Sequence, residues 1–224
     1  EQSLNLALFS GQPNLELDLI APKSVERNSS EIWEVTLRNT GTAVAKSVKL
    51  SAKLSDAFKE ISPTEFLLNT LDIGASRTFN FEAEALTQGL FENSFYASYE
   101  KSVPETEATA SANTKIVQSG IQIENLGPLS AYVFKPQNYK INIRNTGDTN
   151  LKNVRITQIF SENYSIIDSG LGRINGNAIG WMIPLLPAGS NQLITTKLTS
   201  TRPGDATVKT IIKTGSGITA SDQT

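Results

Sequence analysis

Trp33-Glu34-Val35-Thr36-Leu37-Arg38-Asn39-Thr40-Gly41 returns 106 residues later as Tyr139-Lys140-Ile141-Asn142-Ile143-Arg144-Asn145-Thr146-Gly147. In both copies the apolar side chains fall on every second residue. Trp33, Val35 and Leu37 oppose Glu34, Thr36 and Arg38, as Tyr139, Ile141 and Ile143 oppose Lys140, Asn142 and Arg144. A period of two gives a strand one apolar and one wet face, whereas helical spacing would scatter the same residues. The Asn-Thr-Gly that ends each run is built of residues that accept turn geometry, glycine most easily at positive φ. A second alternating run follows, with Val48, Leu50, Ala52 and Leu54 against Lys49, Ser51 and Lys53. Two such strands, each with one buried face, make half of a β-sandwich.

Working outward, Leu15 and Leu17 match Ile121 and Ile123, Pro22 matches Pro128, and Leu50 matches Ile156, all at the same shift. A fixed long period sets the architecture before any local reading does. It predicts two tandem antiparallel β-sandwiches of roughly seven strands each, with almost no helix. Domain 1 is expected over 14–118 and domain 2 over 119–224, each long enough to support its own core. Residues 1–13, with Leu4, Leu6 and Leu8 alternating, read as a lead-in or the end of a preceding module.

Further along, Ser55 to Thr70 reads as irregular. Leu71-Asp72-Ile73-Gly74 then leads into Phe79, Phe81, Ala83 and Ala85, as Leu186-Pro187-Ala188-Gly189 leads into Ile194, Thr196 and Leu198. The shift here has grown from 106 to 115, so domain 2 carries nine more residues, placed in the glycine-rich segment Ser169 to Gly180. Phe95, Ala97 and Tyr99 form another alternating strand, and Glu107 to Val117 closes domain 1. Gln118-Ser119-Gly120 is too short for a flexible linker. Three residues span at most about 10 Å, which predicts an end-to-end rod with a small hinge.

Composition narrows the chemistry. Of 224 residues, 38% are apolar, the formal net charge is −2, and there is neither Cys nor His. Disulfides, thiolate metal sites and cysteine catalysis are excluded, and the commonest general base and metal ligand is missing. No basic patch points to nucleic acid, and no apolar run approaches the roughly 18 residues that span a bilayer as a helix. The opening on Glu1 and the close on a strand-like run suggest a processed chain or an excised piece of a longer one.

The order of a strand, Asn-Thr-Gly, a Val/Ile-rich strand, Trp, Leu-x-x-Gly and a late Pro-Gly turn resembles the bacterial surface repeat of immunoglobulin-like type. It is carried by Trp181-Met182-Ile183-Pro184-Leu185-Leu186-Pro187-Ala188-Gly189-Ser190 and Arg202-Pro203-Gly204-Asp205-Ala206-Thr207. Tyr132-Val133-Phe134-Lys135-Pro136, Tyr139 and Asn145-Thr146-Gly147-Asp148 make domain 2 similar to repeats of the chlamydial large cysteine-rich outer-membrane protein family. The resemblance covers domain 2 and, more loosely, 14–117. It implies immunoglobulin-like sandwiches in an envelope or surface protein with a structural or adhesive role. Such repeats cross-link through disulfides, and this chain carries Phe134 where a cysteine is expected.

Among candidate sites, Asp148-Thr149-Asn150 has the alternating oxygen ligands that hard cations prefer, but without an acidic partner cluster it reads as a solvated turn. Glu82 with Glu84, and Glu105 with Glu107, read as solvated charges on strand faces rather than an acid–base pair. Trp33 corresponds to Tyr139 and belongs to the core. Trp181 and Tyr164 are the candidate ligand contacts, beside the Gly170 to Trp181 loop. Asn28-Ser29-Ser30 and Asn163-Tyr164-Ser165 match the glycosylation sequon. No cofactor or metal is expected. The expectation is a non-catalytic structural or adhesive module, extracytoplasmic, meeting other envelope or surface proteins, neighbouring repeats or glycans. The alternative is a carbohydrate-binding or accessory module of a larger secreted enzyme.

Overall fold

The computed structural model describes residues 11–100 and 108–224. The run Leu4, Leu6 and Leu8 and the carboxylates Glu105 and Glu107 lie outside the described residues. Every regular element among those described is a strand, and the residues gather into two compact units, one up to Val117 and one from Gln118. Each unit is an immunoglobulin-like antiparallel β-sandwich.

The first unit runs β1 (Leu15–Ile20), β2 (Ser24–Glu26), β3 (Ser30–Asn39), β4 (Ala45–Lys53), β5 (Phe58–Glu60), β6 (Glu65–Leu71), β7 (Ser76–Ala85), β8 (Gly89–Ser98) and β9 (Ala108–Val117). One sheet has the order β1-β3-β7-β5 and the other β2-β9-β8-β4-β6. The second unit runs β10 (Ile121–Leu126), β11 (Pro136–Asn145), β12 (Leu151–Phe160), β13 (Tyr164–Asp168), β14 (Arg173–Asn175), β15 (Ala178–Leu186), β16 (Asn191–Ser200), β17 (Val208–Lys213) and β18 (Thr219–Gln223). Its sheets are β10-β11-β16-β13 and β14-β15-β12-β17-β18. Strand pairing is antiparallel throughout, except that β2 lies parallel to β9.

Among the described residues nine strands stand in each unit rather than about seven, because short segments such as β2, β5 and β14 pair at sheet edges. The stretch 55–70, expected to be irregular, holds β5 and β6. Its pattern hides the strand: Leu67 is apolar yet faces solvent between the inward Phe66 and Leu68, so alternation fails as a signal.

Alternation elsewhere places the cores. Trp33, Val35 and Leu37 on β3 are buried against Val48 and Leu50 on β4 and Phe81 on β7. Ile141, Ile143, Val154, Ile156 and Ile212 do the same in the second unit. Each large side chain so buried contributes about 1.5–3 kcal/mol. One irregularity is common to both units. Ser47 (φ 50°) and Asn153 (φ 51°), 106 residues apart, sit in left-handed conformation and are skipped in the pairing of β4 with β6 and β12 with β15. This left-handed residue, crossed with no shift of register, explains why buried Ala45 and Val48, or Leu151 and Val154, are three residues apart rather than two.

The repeated Asn-Thr-Gly does more than turn the chain. Asn39 is buried, and its Nδ2 donates to Ala43 O and Leu71 O, both at 2.9 Å. Its Oδ1 accepts the N–H groups of Gly41 (3.0 Å) and Asn14 (3.3 Å). Asn145 repeats the arrangement. Its Nδ2 donates to Thr149 O (2.7 Å), Leu186 O and Pro187 O (both 3.0 Å), and its Oδ1 accepts Gly147 N–H (3.1 Å). The turn glycines are required for a different reason from the one expected. Neither Gly41 nor Gly147 has positive φ. The chain entering each unit passes directly over them: a Cβ on Gly41 would lie 2.6 Å from Pro13 C, and one on Gly147 would lie 2.6 Å from Gly120 N. Residues 12–14 and 118–120 therefore occupy equivalent places, each crossing its own unit's turn.

Removing one buried amide leaves several carbonyl and N–H groups unpaired, at about 1–3 kcal/mol each. Asn39→Leu is expected to destabilise the first unit by about 3 kcal/mol or more, and Asn145→Leu the second. Hydrogen exchange resolved by unit, during denaturant titration, checks which unit opens.

Candidate functional site

In the first unit β5 passes to β6 through only Ile61–Thr64, and Phe66 packs on Phe79 with ring centroids 4.9 Å apart. The second unit differs at the same place. Its nine additional residues carry the chain from β13 across to β14, which forms a hairpin with β15 through Gly176 (φ 59°) and Asn177. Asn177 anchors that turn on the far side, since its Nδ2 donates to Phe160 O at 2.8 Å. The crossing segment is itself a tight turn. Asp168 Oδ1 accepts Gly170 N–H (2.9 Å), Gly172 N–H reaches Ser169 O (3.0 Å), and Gly170 and Leu171 are both left-handed.

Under this crossing the mouth between the two sheets stays open as a cleft of about 770 Å³. Its chemistry comes from Arg155, Arg173, Trp181, Met182, Gln192 and Leu193, and no acidic side chain lines it. Neither guanidinium has a salt bridge among the described residues. A chain of net charge −2 thus concentrates two positive charges beside an apolar wall, an arrangement suited to an anionic group attached to an apolar body.

The structure separates the two expected ligand contacts. Trp181 lines the cleft, with its indole N–H donated to Gly170 O at 3.0 Å and its ring under Gly172, where a Cβ would come within 2.6 Å. It is half-buried and packed against the core, so its outward part belongs to the cleft wall. Tyr164 stands elsewhere. It is the counterpart of Phe58 at the shift of 106 and packs edge-on to Tyr139 (5.9 Å), as Phe58 does to Trp33 (5.1 Å). Its hydroxyl and that of Tyr139 are 2.7 Å apart.

The remaining candidates serve the fold. Asp148 Oδ1 accepts Gln118 N–H (2.7 Å), Thr149 Oγ1 meets Ser119 Oγ (2.6 Å), and Asn150 Oδ1 accepts Ala188 N–H (3.0 Å). Their oxygens are turned onto the protein, and no group of three acidic or metal-ligating side chains gathers among the described residues. Glu82 accepts Ser30 Oγ at 3.0 Å. Asn163 of one sequon is buried with Nδ2 on Asp205 O (3.2 Å), whereas Asn28 of the other is exposed. The two arginines escaped the sequence reading because they alternate with apolar residues like any outward strand position. Only the hairpin brings them together.

No protein-family model matches the sequence. Among solved structures, the chain is similar over 99% of its length to Salmonella alpha-2-macroglobulin (mutant Y1175G), at 10% identity and a TM-score of 0.38. It spans 17% of the length of that chain.

Burial, and secondly the hydrogen bond and charge of Tyr164, hold the Tyr139 phenol well above its ordinary range. The folded chain thus keeps this proton longer than the unfolded one. The resulting stabilisation is complete below the unfolded value of about 10 and is lost as pH rises beyond it. The second unit is expected to lose stability above about pH 10, a component that Tyr139→Phe removes. Tyr164→Phe leaves the Tyr139 hydroxyl without its partner, at about 1–3 kcal/mol. Denaturant titrations at pH 8 and above 10, followed by tyrosine absorbance, check both.

Proposed function

We propose that this chain is a non-catalytic structural or adhesive module of a bacterial cell-envelope or surface protein, acting outside the cytoplasm. It would hold other envelope or surface proteins, or neighbouring repeats. The observation that carries this reading is the lining of the cleft. Two guanidiniums stand beside an apolar wall with no carboxylate or imidazole to move a proton at neutral pH, a lining that favours holding over turnover. The envelope setting is supported by the resemblance of the Asn-Thr-Gly repeats to bacterial surface repeats. One observation favours the second reading, a carbohydrate-binding or accessory module of a larger secreted enzyme: Trp181 is part of the cleft wall, where an aromatic face can meet a sugar.

A panel of envelope proteins, host-matrix proteins and glycans, presented to the purified chain, separates the two. Protein binding that falls with ionic strength and weakens about tenfold or more in Arg155→Ala/Arg173→Ala is the expected outcome. Glycan binding abolished by Trp181→Ala, with no protein retained, overturns the first reading in favour of the second.

A further inference from the structure

The outer face of one sheet of the second unit carries charge of a single sign. Strands β14, β15, β12 and β17 hold Lys152, Arg155, Arg173, Lys209 and Lys213, all exposed, and not one Asp or Glu. None of the five has a salt bridge among the described residues. Along the chain apolar residues dilute these charges, and strand pairing gathers them. Arg155 faces Lys213 on β17, and Arg173 faces Gly180, which in turn faces Thr157 beside Arg155. Arg155 also joins two hollows. One is the cleft already described, and the other, of about 280 Å³, lies between Arg155 and Lys213.

The first unit shows the same face without the excess charge. There Lys49, the counterpart of Arg155, is held by Glu65 at 2.6 Å. Glu65 pairs with Ser51 as Gly180 pairs with Thr157, so a glycine stands where the neutralising carboxylate was. Ser98 and Ser94, paired with Lys49 and Lys53, become Lys213 and Lys209, paired with Arg155 and Ile159. The change of Lys53 to Ile159 runs the other way.

Beside the cations stands exposed apolar surface. Leu171 is fully exposed in a left-handed conformation (φ 66°), a strained setting for a bulky side chain with no packing contact to offset it. It lines the cleft with Arg155, Arg173 and the half-exposed Met182 and Leu193. A soluble polyanion has no use for a protruding leucine. A bilayer receives both groups, its phosphates at the cations and its acyl boundary at the aliphatic side chains. Other occupants lack a foothold. Strands β15, β12 and β17 are paired on both edges, so no strand can add to them. The rings of these strands, Phe160 and Trp181, pack on the core, which leaves no stacking surface for bases on this face.

We propose that this face and the crossing segment dock on an anionic phospholipid surface. Leu171 enters the headgroup–acyl boundary, while Arg155, Arg173, Lys209 and Lys213 meet the phosphates. The inference goes beyond the protein-holding reading: it shares two arginines with the cleft but needs no protein partner.

The probe is a vesicle of phosphatidylcholine containing phosphatidylglycerol, titrated into the purified chain at low ionic strength. Trp181 reports docking, because Trp33 is 0% exposed and the Trp181 indole N–H is held by Gly170, next to Leu171. Expected are a blue shift of its emission, quenching by acyl-brominated lipid, loss at high salt, and little response to pure phosphatidylcholine. Gly180→Glu returns the first unit's carboxylate to the side of Arg155, at a position where a Cβ meets nothing closer than 3.9 Å. It weakens binding about fivefold or more, and Lys209→Ser/Lys213→Ser about tenfold or more. Leu171→Asn, better suited to the left-handed turn, weakens binding about tenfold and removes the quenching. Absence of binding to the anionic vesicles, or binding that none of these variants weakens, overturns the proposal. Equal binding to soluble polyphosphate, unchanged by Leu171→Asn, overturns it in favour of a soluble polyanion. Protein capture at the cleft without vesicle binding also overturns it and leaves the protein-holding reading standing, whereas vesicle binding with no protein captured supports it against that reading.

Discussion

A carboxamide buried inside an apolar sandwich must find its hydrogen bonds within reach or cost more than the fold can bear. Asn39 and Asn145 meet that demand by collecting backbone groups from separate parts of the chain. One amide ties the loop after its own strand to the end of a later strand in the opposite sheet, β6 or β15. In the first unit the same carbonyl oxygen also holds the incoming chain at Asn14. The glycine two residues later is fixed by the same geometry, because the entering backbone lies on it. Placing the turn, the inter-sheet connection and the point of entry together leaves little freedom for the rest of the sandwich.

Around that common frame the two units fill their interiors differently. The first stacks Phe66, Phe79, Phe81 and Phe95 across the sheets, with centroids about 5 Å apart. The second has Trp181, Ile194, Thr196 and Thr210 at the matching places, and Gln158 where the first has Ala52. Thr196 Oγ1 donates to Gln158 Oε1, and Thr210 Oγ1 to Asn125 Oδ1. The aromatic pair shows the same drift toward polarity. Trp33 against Phe58 leaves a buried indole N–H without a partner, whereas Tyr139 and Tyr164 satisfy each other. The smaller and more polar interior accompanies the opening between β15 and β16 that becomes the cleft.

Much of the fold was legible because its core strands are wet on one face. Trp33-Val35-Leu37 and Tyr139-Ile141-Ile143 fix sheet, face and repeat from spacing alone. What escaped was decided by distance in space rather than along the chain. Leu67 obscures β6 by facing solvent, and the left-handed Ser47 and Asn153 give no composition signal of the break they make in the alternation. Gly41 and Gly147 looked like residues chosen for φ, when close backbone approach requires them. The site was less legible still. Trp181 lies on the wall of the cleft, but Arg155 and Arg173 line the same cleft only because a hairpin folds one strand beside another. Tyr164 looked available only until its equivalence to Phe58 was visible.

The crossing of residues 118–120 over Gly147 bears on how this chain can be cut. These three residues, read as a joint, are the second unit's own first fastening: Gln118 N–H is held by Asp148, Ser119 by Thr149, and Gly120 O by Thr146 N–H. A protease that severed the chain there would not release an intact second half. It would unpick the knot around Asn145 from its loose end, so the natural seam for dividing the molecule lies upstream of Gln118.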